Sequence, residues 1–315
     1  MSRQTENFFK GFSQFAEGKD FESEEELNEA LHSYMLQYNA SVMQGNRSNT
    51  PKTADDFLEL AEEAESQKET LKYAKKALKL EPENIDAQTA VAVNSASTVE
   101  ATLEKLKAVY TSATAQIKEQ GLLDDENIGH FWLITETRPY MRLLDTYADM
   151  LYTSGKMKLA AKILEEMIRL CESDNLGARY TLMHIYCHLE DEESALELEK
   201  KYPDDDSVQM LLPLSLLYFR LDDLKKSASY LRKIKNTNED AVDFFTGLIN
   251  GNLDDYIDED EQSPYGYRPY TMDELLVEFE QHKMMYLSIP VYFDWAYRKI
   301  KGPSKKKNGD MNSLL

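Results

Sequence analysis

The stretch HIYCH, residues 184–188, brings two histidines and a cysteine close together in the sequence. On a helix, His184 and His188 would share one face, and Cys187 would lie one step around it. Imidazole and thiolate groups are zinc ligands, so this spacing is compatible with a metal site. However, no glutamate follows the first histidine as in the metalloprotease motif, and no fourth ligand is evident. Groove-lining or partly buried histidines are therefore the favoured interpretation, and we expect neither a bound metal nor another cofactor.

Other patterns of catalysis are missing from the sequence. It contains no GxxxxGK[ST] or GxGxxG loop for phosphates and no GxSxG turn for a nucleophilic serine. Cys171 and Cys187 provide no disulfide framework and suit a reducing compartment. Cysteines in such helices are more often buried small residues than nucleophiles. We therefore expect a protein that is not an enzyme; a metal-dependent hydrolase would rest on HIYCH alone.

A second charged stretch, ETRPYMR at residues 136–142, has the features of a helix start. Thr137 is a suitable N-cap, and Pro139 fits the first turn, where a missing N–H costs little. The apolar residues that follow at helical spacing predict a buried stripe: Met141, Leu144, Tyr147, Ala148 and Leu151. The helix start is the favoured interpretation, and a binding role for Arg142 is the alternative.

The amino-acid composition restricts both the fold class and the kind of ligand that we expect. Hydrophobic residues make up 42% and charged residues 30% of the 315, which predicts a soluble folded chain. Only 12 glycines and 9 prolines favour long helices over a turn-rich β-fold. The net charge of −21 argues against nucleic acid as a main ligand, because phosphate binding needs a basic face. Neither a signal peptide nor an apolar membrane span is recognisable, so we expect a cytoplasmic protein without membrane contact.

The pattern along the chain predicts five segments. Residues 1–39 form an N-terminal helical segment, and 40–52 form a linker that loses helical periodicity and contains Asn, Ser, Gly and Pro. Residues 53–250 form a helical array, and 251–300 hold an acidic loop and C-terminal helices that cap it. Residues 301–315 form a basic, disordered tail. The helix signals are capping boxes at Ser23 with Glu26 and at Thr271 with Glu274, a C-cap at Gly251, and a helix start at Pro290.

Four windows within the array align as a helix, a tight polar turn and a second helix. Their second helices carry a small residue in the same early slot: Thr70, Ala160, Ala195 and Ser227. The last three lie 35 and 32 residues apart, close to the period of about 34 residues in tetratricopeptide repeats. A small residue is needed there because the paired helices approach each other closely.

On these residues the chain resembles a tetratricopeptide repeat protein over roughly residues 53–300. More closely, it resembles bacterial repeat proteins that carry ETRPYMR, then DNLGARY at 174–180 and YGYRPYTMDE at 265–274. The resemblance implies an all-α solenoid of helix-turn-helix repeats but no chemistry. Residues 85–130 follow the repeat pattern only loosely.

The resemblance also implies a concave groove, which the first helix of each pair lines. Carried over to the aligned windows, the groove slots are Arg142, Asp145, Asp149 and Tyr152; Tyr180, His184 and His188; and Gln209, Leu212, Leu216, Phe219 and Arg220. The first window adds Asp55, Asp56, Glu59, Glu62 and Glu63. Such a groove would be acidic at one end and aromatic-apolar at the other. It would complement a peptide with basic residues followed by apolar anchors.

These observations favour a non-catalytic scaffold or adaptor that binds a protein or peptide segment in its groove. The groove slots do not support the clamp for a C-terminal carboxylate, because acids stand where that clamp needs Lys or Asn. A peptide-responsive regulator of transcription is the alternative. It would need a DNA-binding helix-turn-helix before the repeats, and residues 1–50 lack clustered basic residues.

Overall fold

The computed structural model describes residues 3–19, 21, 23–43, 51–256 and 267–302. The regular secondary structure of this part of the chain is helical, apart from an isolated β-bridge between His130 and Cys171. The prediction of an all-α fold is confirmed for it. No helix in these ranges combines the length and the apolar character that crossing a membrane requires. The chain divides into two compact units, an N-terminal unit, Met1–Leu176, and a C-terminal unit, Gly177–Leu315.

In the N-terminal unit, helices that follow one another along the chain pack against each other from α3 to α8. Helix α5 also contacts α7, which brings their side chains together. The helices are α1 Arg3–Ala16, α2 Glu24–Met43, α3 Ala54–Glu62, α4 Gln67–Leu80, α5 Ile85–Asn94, α6 Val99–Glu119, the 3-10 turn η1 Thr135–Thr137, α7 Arg138–Thr153 and α8 Met157–Leu170.

Helices α2 to α6 of this unit each begin with a side chain that accepts a hydrogen bond from a backbone N–H of the first turn. Ser23 accepts a hydrogen bond from the backbone N–H of Glu26 at 3.2 Å, as the predicted N-cap of α2 requires. Thr53 and Asp56 form a reciprocal capping box that starts α3, at the predicted beginning of the array. Helix α2 continues to Met43, into the predicted linker. Residues 44–50 lie outside the described part.

The start of α7 differs from its prediction. Pro139 lies in the first turn as expected. Thr137 precedes the helix, but its hydroxyl donates to the carbonyl oxygens of Phe131 and of Ile134, the latter at 2.9 Å. The prediction that this side chain caps α7 is wrong, because Thr137 secures the preceding turn instead.

In the C-terminal unit, α9 pairs with α10 and α11 pairs with α12. The last helices fold back onto these pairs, since α14 contacts α11 and α16 contacts α12 and α13. The helices are α9 Ala178–His188, α10 Glu192–Lys201, α11 Val208–Arg220, α12 Leu224–Thr237, α13 Ala241–Asn250, the 3-10 turn η2 Leu253–Tyr256, α14 Met272–Gln281, α15 Lys283–Leu287 and α16 Pro290–Lys301.

Two predicted helix boundaries of this unit are confirmed: α13 ends at Gly251 and α16 begins at Pro290. Gly251 ends α13 in the left-handed conformation, with φ 70°. Thr271 caps α14, but Glu274 does not complete the expected box: it accepts from the backbone N–H of Tyr270 at 2.7 Å and of Val208 at 2.9 Å. Glu274 therefore ties the start of α11 to α14. Residues 257–266, which hold most of the predicted acidic loop, and the tail from 303 lie outside the described part.

The predicted small-residue slot recurs at equivalent positions. Thr70, Ala160, Ala195 and Ser227 are each the fourth residue of the second helix in a pair. The last three are fully buried, and Thr70 is half-buried. Ser227 donates to the carbonyl oxygen of Ser215 on the paired helix at 2.6 Å. Close helix approach at this slot is thus a feature of both units.

Candidate functional site

Both arginines of ETRPYMR are engaged inside the N-terminal unit. Arg142 on α7 donates to both oxygens of Asp86 on α5, at 2.9 and 2.7 Å, and to Glu6 on α1 at 2.7 Å. Arg138 lies 3.7 Å from the same Glu6 carboxylate and donates to the backbone oxygen of Trp132 at 2.8 Å. These contacts hold α1 and α5 to α7.

The charged side chains of this network are largely buried. The Glu6 side chain is 3% exposed, that of Asp86 11% and that of Arg142 27%. Burial alone would lower the pKa of Arg142, but its bonds to Asp86 and Glu6 raise that pKa above the ordinary value. Arg142 was expected to line an open groove, whereas in the structure it binds the protein's own carboxylates.

A cleft of about 810 Å³ opens in the N-terminal unit beside this network. The ends of α4 and α6, the start of α5 and the segment before α7 form its walls. We call it the acidic cleft, because its lining includes five carboxylates and neither lysine nor arginine. The lining residues are Asp55, Glu81, Pro82, Glu83, Asn84, Ile85, Asp86, Gln116, Ile117, Gln120, Leu122, Thr135, Glu136 and Pro139.

The acids of the cleft differ in how strongly they are held. Asp86 is bound by Arg142, and Glu81 accepts a hydrogen bond from the Asn84 amide at 2.9 Å. Glu83 and Glu136 are exposed at the cleft surface. Of the acids that the first window was expected to present, Asp55 lines the cleft, whereas Asp56 accepts from the backbone N–H groups that start α3.

Three more predicted groove residues lie further along α7. Asp145 and Asp149 are exposed and Tyr152 is half-buried. Enclosure by the surrounding protein, followed by the negative charges of Asp149 and Asp174, raises the pKa of Asp145 to about 6. Enclosure likewise raises the pKa of Asp149. This face of α7 therefore carries two solvent-accessible acids whose pKa values are raised.

Asp145→Asn is expected to stabilise the protein at pH 7 but not at pH 4. Because the folded state holds this proton more tightly than the unfolded chain, the contribution of Asp145 to stability falls as pH rises from about 4 to about 6. Solvent access keeps the gain below about 1 kcal/mol. Thermal unfolding at both pH values measures it, with the exposed Asp125→Asn as a control. An equal gain at both pH values would contradict the assignment.

In the C-terminal unit, four predicted groove residues are buried: His184, Gln209, Leu212 and Leu216. The prediction that they line an open groove must be corrected, because the unit's own C-terminal segment covers this face. The Gln209 side-chain oxygen accepts from the Tyr267 hydroxyl at 2.9 Å, and α14 packs on α11.

The other predicted groove residues of this unit are half-buried: Tyr180, His188, Phe219 and Arg220. The Phe219 ring lies 5.2 Å from that of Trp295, centroid to centroid. Arg220 donates to the backbone oxygen of His188 at 2.8 Å and forms an ion pair with Glu190 at 2.7 Å. These contacts position the end of α9.

The two histidines of HIYCH lie on the same helix but have different surroundings. His184 is fully buried, and its Nε2 lies 2.5 Å from Oε1 of Glu278 on α14. The His282 ring stacks on that of His184 with centroids 3.4 Å apart, and the Tyr286 hydroxyl donates to Glu278 Oε1. Burial lowers the pKa of His184 and of His282, and it raises the pKa of Glu278 to about 7. His188 does not belong to this group.

Several of these residues were not singled out from the sequence. Glu6 and Asp86 belong to no motif, and Arg138 lies in ETRPYMR but was given no role of its own. The contacts of all three join distant segments. Glu278 and His282 did leave a signal, since they stand four residues apart in EFEQH, a spacing that places two ligand types on one helical face.

No protein-family model matches this chain, and a search of curated proteins finds no similar sequence.

Proposed function

We propose that this chain is a non-catalytic helical-repeat protein of the tetratricopeptide type that binds a protein segment in its acidic cleft. The segment carries lysine or arginine side chains next to an apolar residue. The equivalent buried slots at Ala160, Ala195 and Ser227 support the repeat assignment. The charge and shape of the cleft support the choice of ligand.

The observation that carries the proposal is the one-sided charge of the cleft. The lining itself contains five carboxylates and neither lysine nor arginine. Asp86 is paired with Arg142 outside the lining, whereas Glu83 and Glu136 are exposed at the cleft surface.

The apolar part of the lining consists of Ile85, Ile117, Leu122 and Pro139. A cationic side chain would gain Coulomb energy from several acids at once. An adjacent apolar group would cover the half-buried Leu122 and Pro139, since Ile85 and Ile117 are already buried. Electrostatic complementarity of this kind sets specificity and the association rate.

The repeat resemblance predicts a ligand in a groove that runs along the first helices. In the C-terminal unit, that face is filled by Tyr267 and α14, so the proposed site is restricted to the N-terminal unit. Asp55 belongs both to the groove slots of the first window and to the lining of the cleft. The acidic cleft of the N-terminal unit is therefore the part of the predicted groove that would prefer a ligand with basic side chains.

Selection of random displayed peptides on the full-length protein tests this proposal. We expect the selected peptides to be enriched in Lys and Arg beside apolar residues, and their affinity to fall as salt is raised. Glu83→Lys with Glu136→Lys reverses two exposed charges of the cleft. We expect this double variant to bind at least about tenfold more weakly, which corresponds to about 1.4 kcal/mol, in isothermal titration calorimetry.

A control of equal charge change separates the cleft from the overall acidity. Glu104→Lys with Glu197→Lys reverses two exposed helical acids that do not line the cleft, and it should leave the affinity within about twofold. If both double variants weaken binding equally, the peptides respond to net charge and the cleft is not the site. Selection of peptides without basic residues would likewise overturn the proposal.

A further inference from the structure

A buried group of metal-ligand type lies in the C-terminal unit. His184 comes from α9 and Glu278 from α14, whereas His282 is the C-cap residue directly after α14, four residues beyond Glu278. Their exposed fractions are 0%, 0% and 3%. One ligand atom of each lies within 4.8 Å of the others. Two helices that are distant in sequence thus deliver three donor groups to one point in the core.

The donors match the chemistry of zinc. Two imidazoles and a carboxylate are the ligand set of many zinc sites, with bonds of about 2.0–2.2 Å. In a tetrahedral complex, ligand atoms at that bond length lie about 3.4 Å apart. In the structure His184 Nε2 lies 2.5 Å from Glu278 Oε1, closer than this value, and the ligand atoms of all three residues lie within 4.8 Å of one another. The two rings are 15° from parallel, so coordination requires them to tilt toward a common point.

The group also has polar atoms whose burial needs compensation. Within the described part of the chain, Glu278 Oε2 and His184 Nδ1 are buried and have no hydrogen-bond partner. A buried carboxylate is costly unless a cation or a full set of hydrogen bonds stabilises it. Glu278 Oε1 is contacted by His184 and by the Tyr286 hydroxyl, neither of which is a permanent cation. A divalent ion would supply the missing positive charge.

We infer that His184, Glu278 and His282 bind one Zn²⁺ ion that fastens α14 to α9, with the Tyr286 oxygen beside the fourth position. Two imidazoles and one carboxylate leave the fourth position of the ion without a protein ligand. We assign the ion a structural role because all three ligands are buried. The spacing in HIYCH suggested His184 and His188 as a ligand pair. The structure instead groups His184 with Glu278 and His282, and His188 lies outside this group. This inference concerns the C-terminal unit alone and does not rest on the proposed peptide cleft.

Metal analysis of the full-length, untagged protein tests this inference. The protein is produced in zinc-supplemented medium, or refolded with Zn²⁺, and dialysed before mass-spectrometric metal analysis. We expect about one zinc per chain, and visible d–d absorption typical of tetrahedral coordination after exchange with Co²⁺. Glu278→Gln and His282→Asn should each lose the ion. His188→Asn, four residues from His184 on the same helix, should keep it.

A second measurement on the wild-type chain covers the case in which a variant fails to fold. Saturating Zn²⁺ should raise the melting temperature of the chelator-treated protein by about 5 °C, since the ion binds only the folded unit. A folded wild type that takes up no zinc and shows no shift would overturn the inference. Retention of zinc by folded Glu278→Gln, or its loss in folded His188→Asn, would overturn the ligand assignment.

Discussion

Arg142→Met is expected to lower the free energy of unfolding by about 3 kcal/mol, because it leaves two carboxylates inside the N-terminal unit without their main cation. Arg142 donates three hydrogen bonds, two to Asp86 and one to Glu6. Breaking a buried pair costs more than the pair itself contributes, since the remaining charge stays desolvated. Partial exposure of Arg142 places the effect below the upper end for buried pairs. Urea unfolding followed by circular dichroism measures it.

The matched control is Arg169→Met on α8. Arg169 also bonds to a carboxylate, that of Glu166 at 2.8 and 2.7 Å, but its side chain is 52% exposed. Loss of such a surface pair costs about 0.5 kcal/mol. Equal losses for the two variants would show that the Arg142 network is no more than a surface contact. Adding Asp86→Asn and Glu6→Gln to Arg142→Met should restore part of the stability, because neutral amides are cheaper to bury.

Short-range patterns predicted the helix boundaries well where one residue has a single local role. Pro290 begins α16 and Gly251 ends α13, as their backbone preferences indicate. Thr137 shows the limit of such rules. Its hydroxyl has two carbonyl acceptors in the preceding turn, and that choice depends on the path of residues 131–134, which no capping rule contains.

The candidate sites depend on long-range contacts, so the sequence predicted them incompletely. Arg142 meets Asp86 and Glu6 across 56 and 136 residues, and His184 meets Glu278 across 94. A slot on a repeat template says which helical face a residue occupies, but it does not say what covers that face. The pairs of Arg142 with Asp86 and Glu6, and of His184 with Glu278, could therefore be identified only from the structure.

One signal in the sequence did indicate that part of the predicted groove is covered. Helix α11, with the sequence VQMLLPLSLLYFR, is apolar on nearly all sides, and a helix of that kind is buried on nearly all sides. An open groove would have left one face of α11 in water. The template placed Leu212 and Leu216 in the groove, whereas the composition of the helix favoured the core, and the structure agrees with the composition.

Ala160→Trp is expected to lower the free energy of unfolding by about 3 kcal/mol, at the upper end for overpacking of a filled core. Ala160 is fully buried where α8 packs on α7, so an indole cannot enter without separating the two helices. For a unit of this size the loss corresponds to a fall of about 6–12 °C in melting temperature. Differential scanning calorimetry of the full-length protein measures it.

The neighbouring residue provides the control, because Leu159→Trp introduces the same side chain at a position that is 51% exposed. Its effect should stay within about 0.5 kcal/mol. Ala195→Trp then tests the equivalence of the slots, since Ala195 is also fully buried at the fourth position of its helix, in the C-terminal unit. Comparable losses at Ala160 and Ala195 would support a repeated helix pair. A tolerated tryptophan at Ala160 would mean that α7 and α8 are not in close contact there, and the repeat register would fail with it.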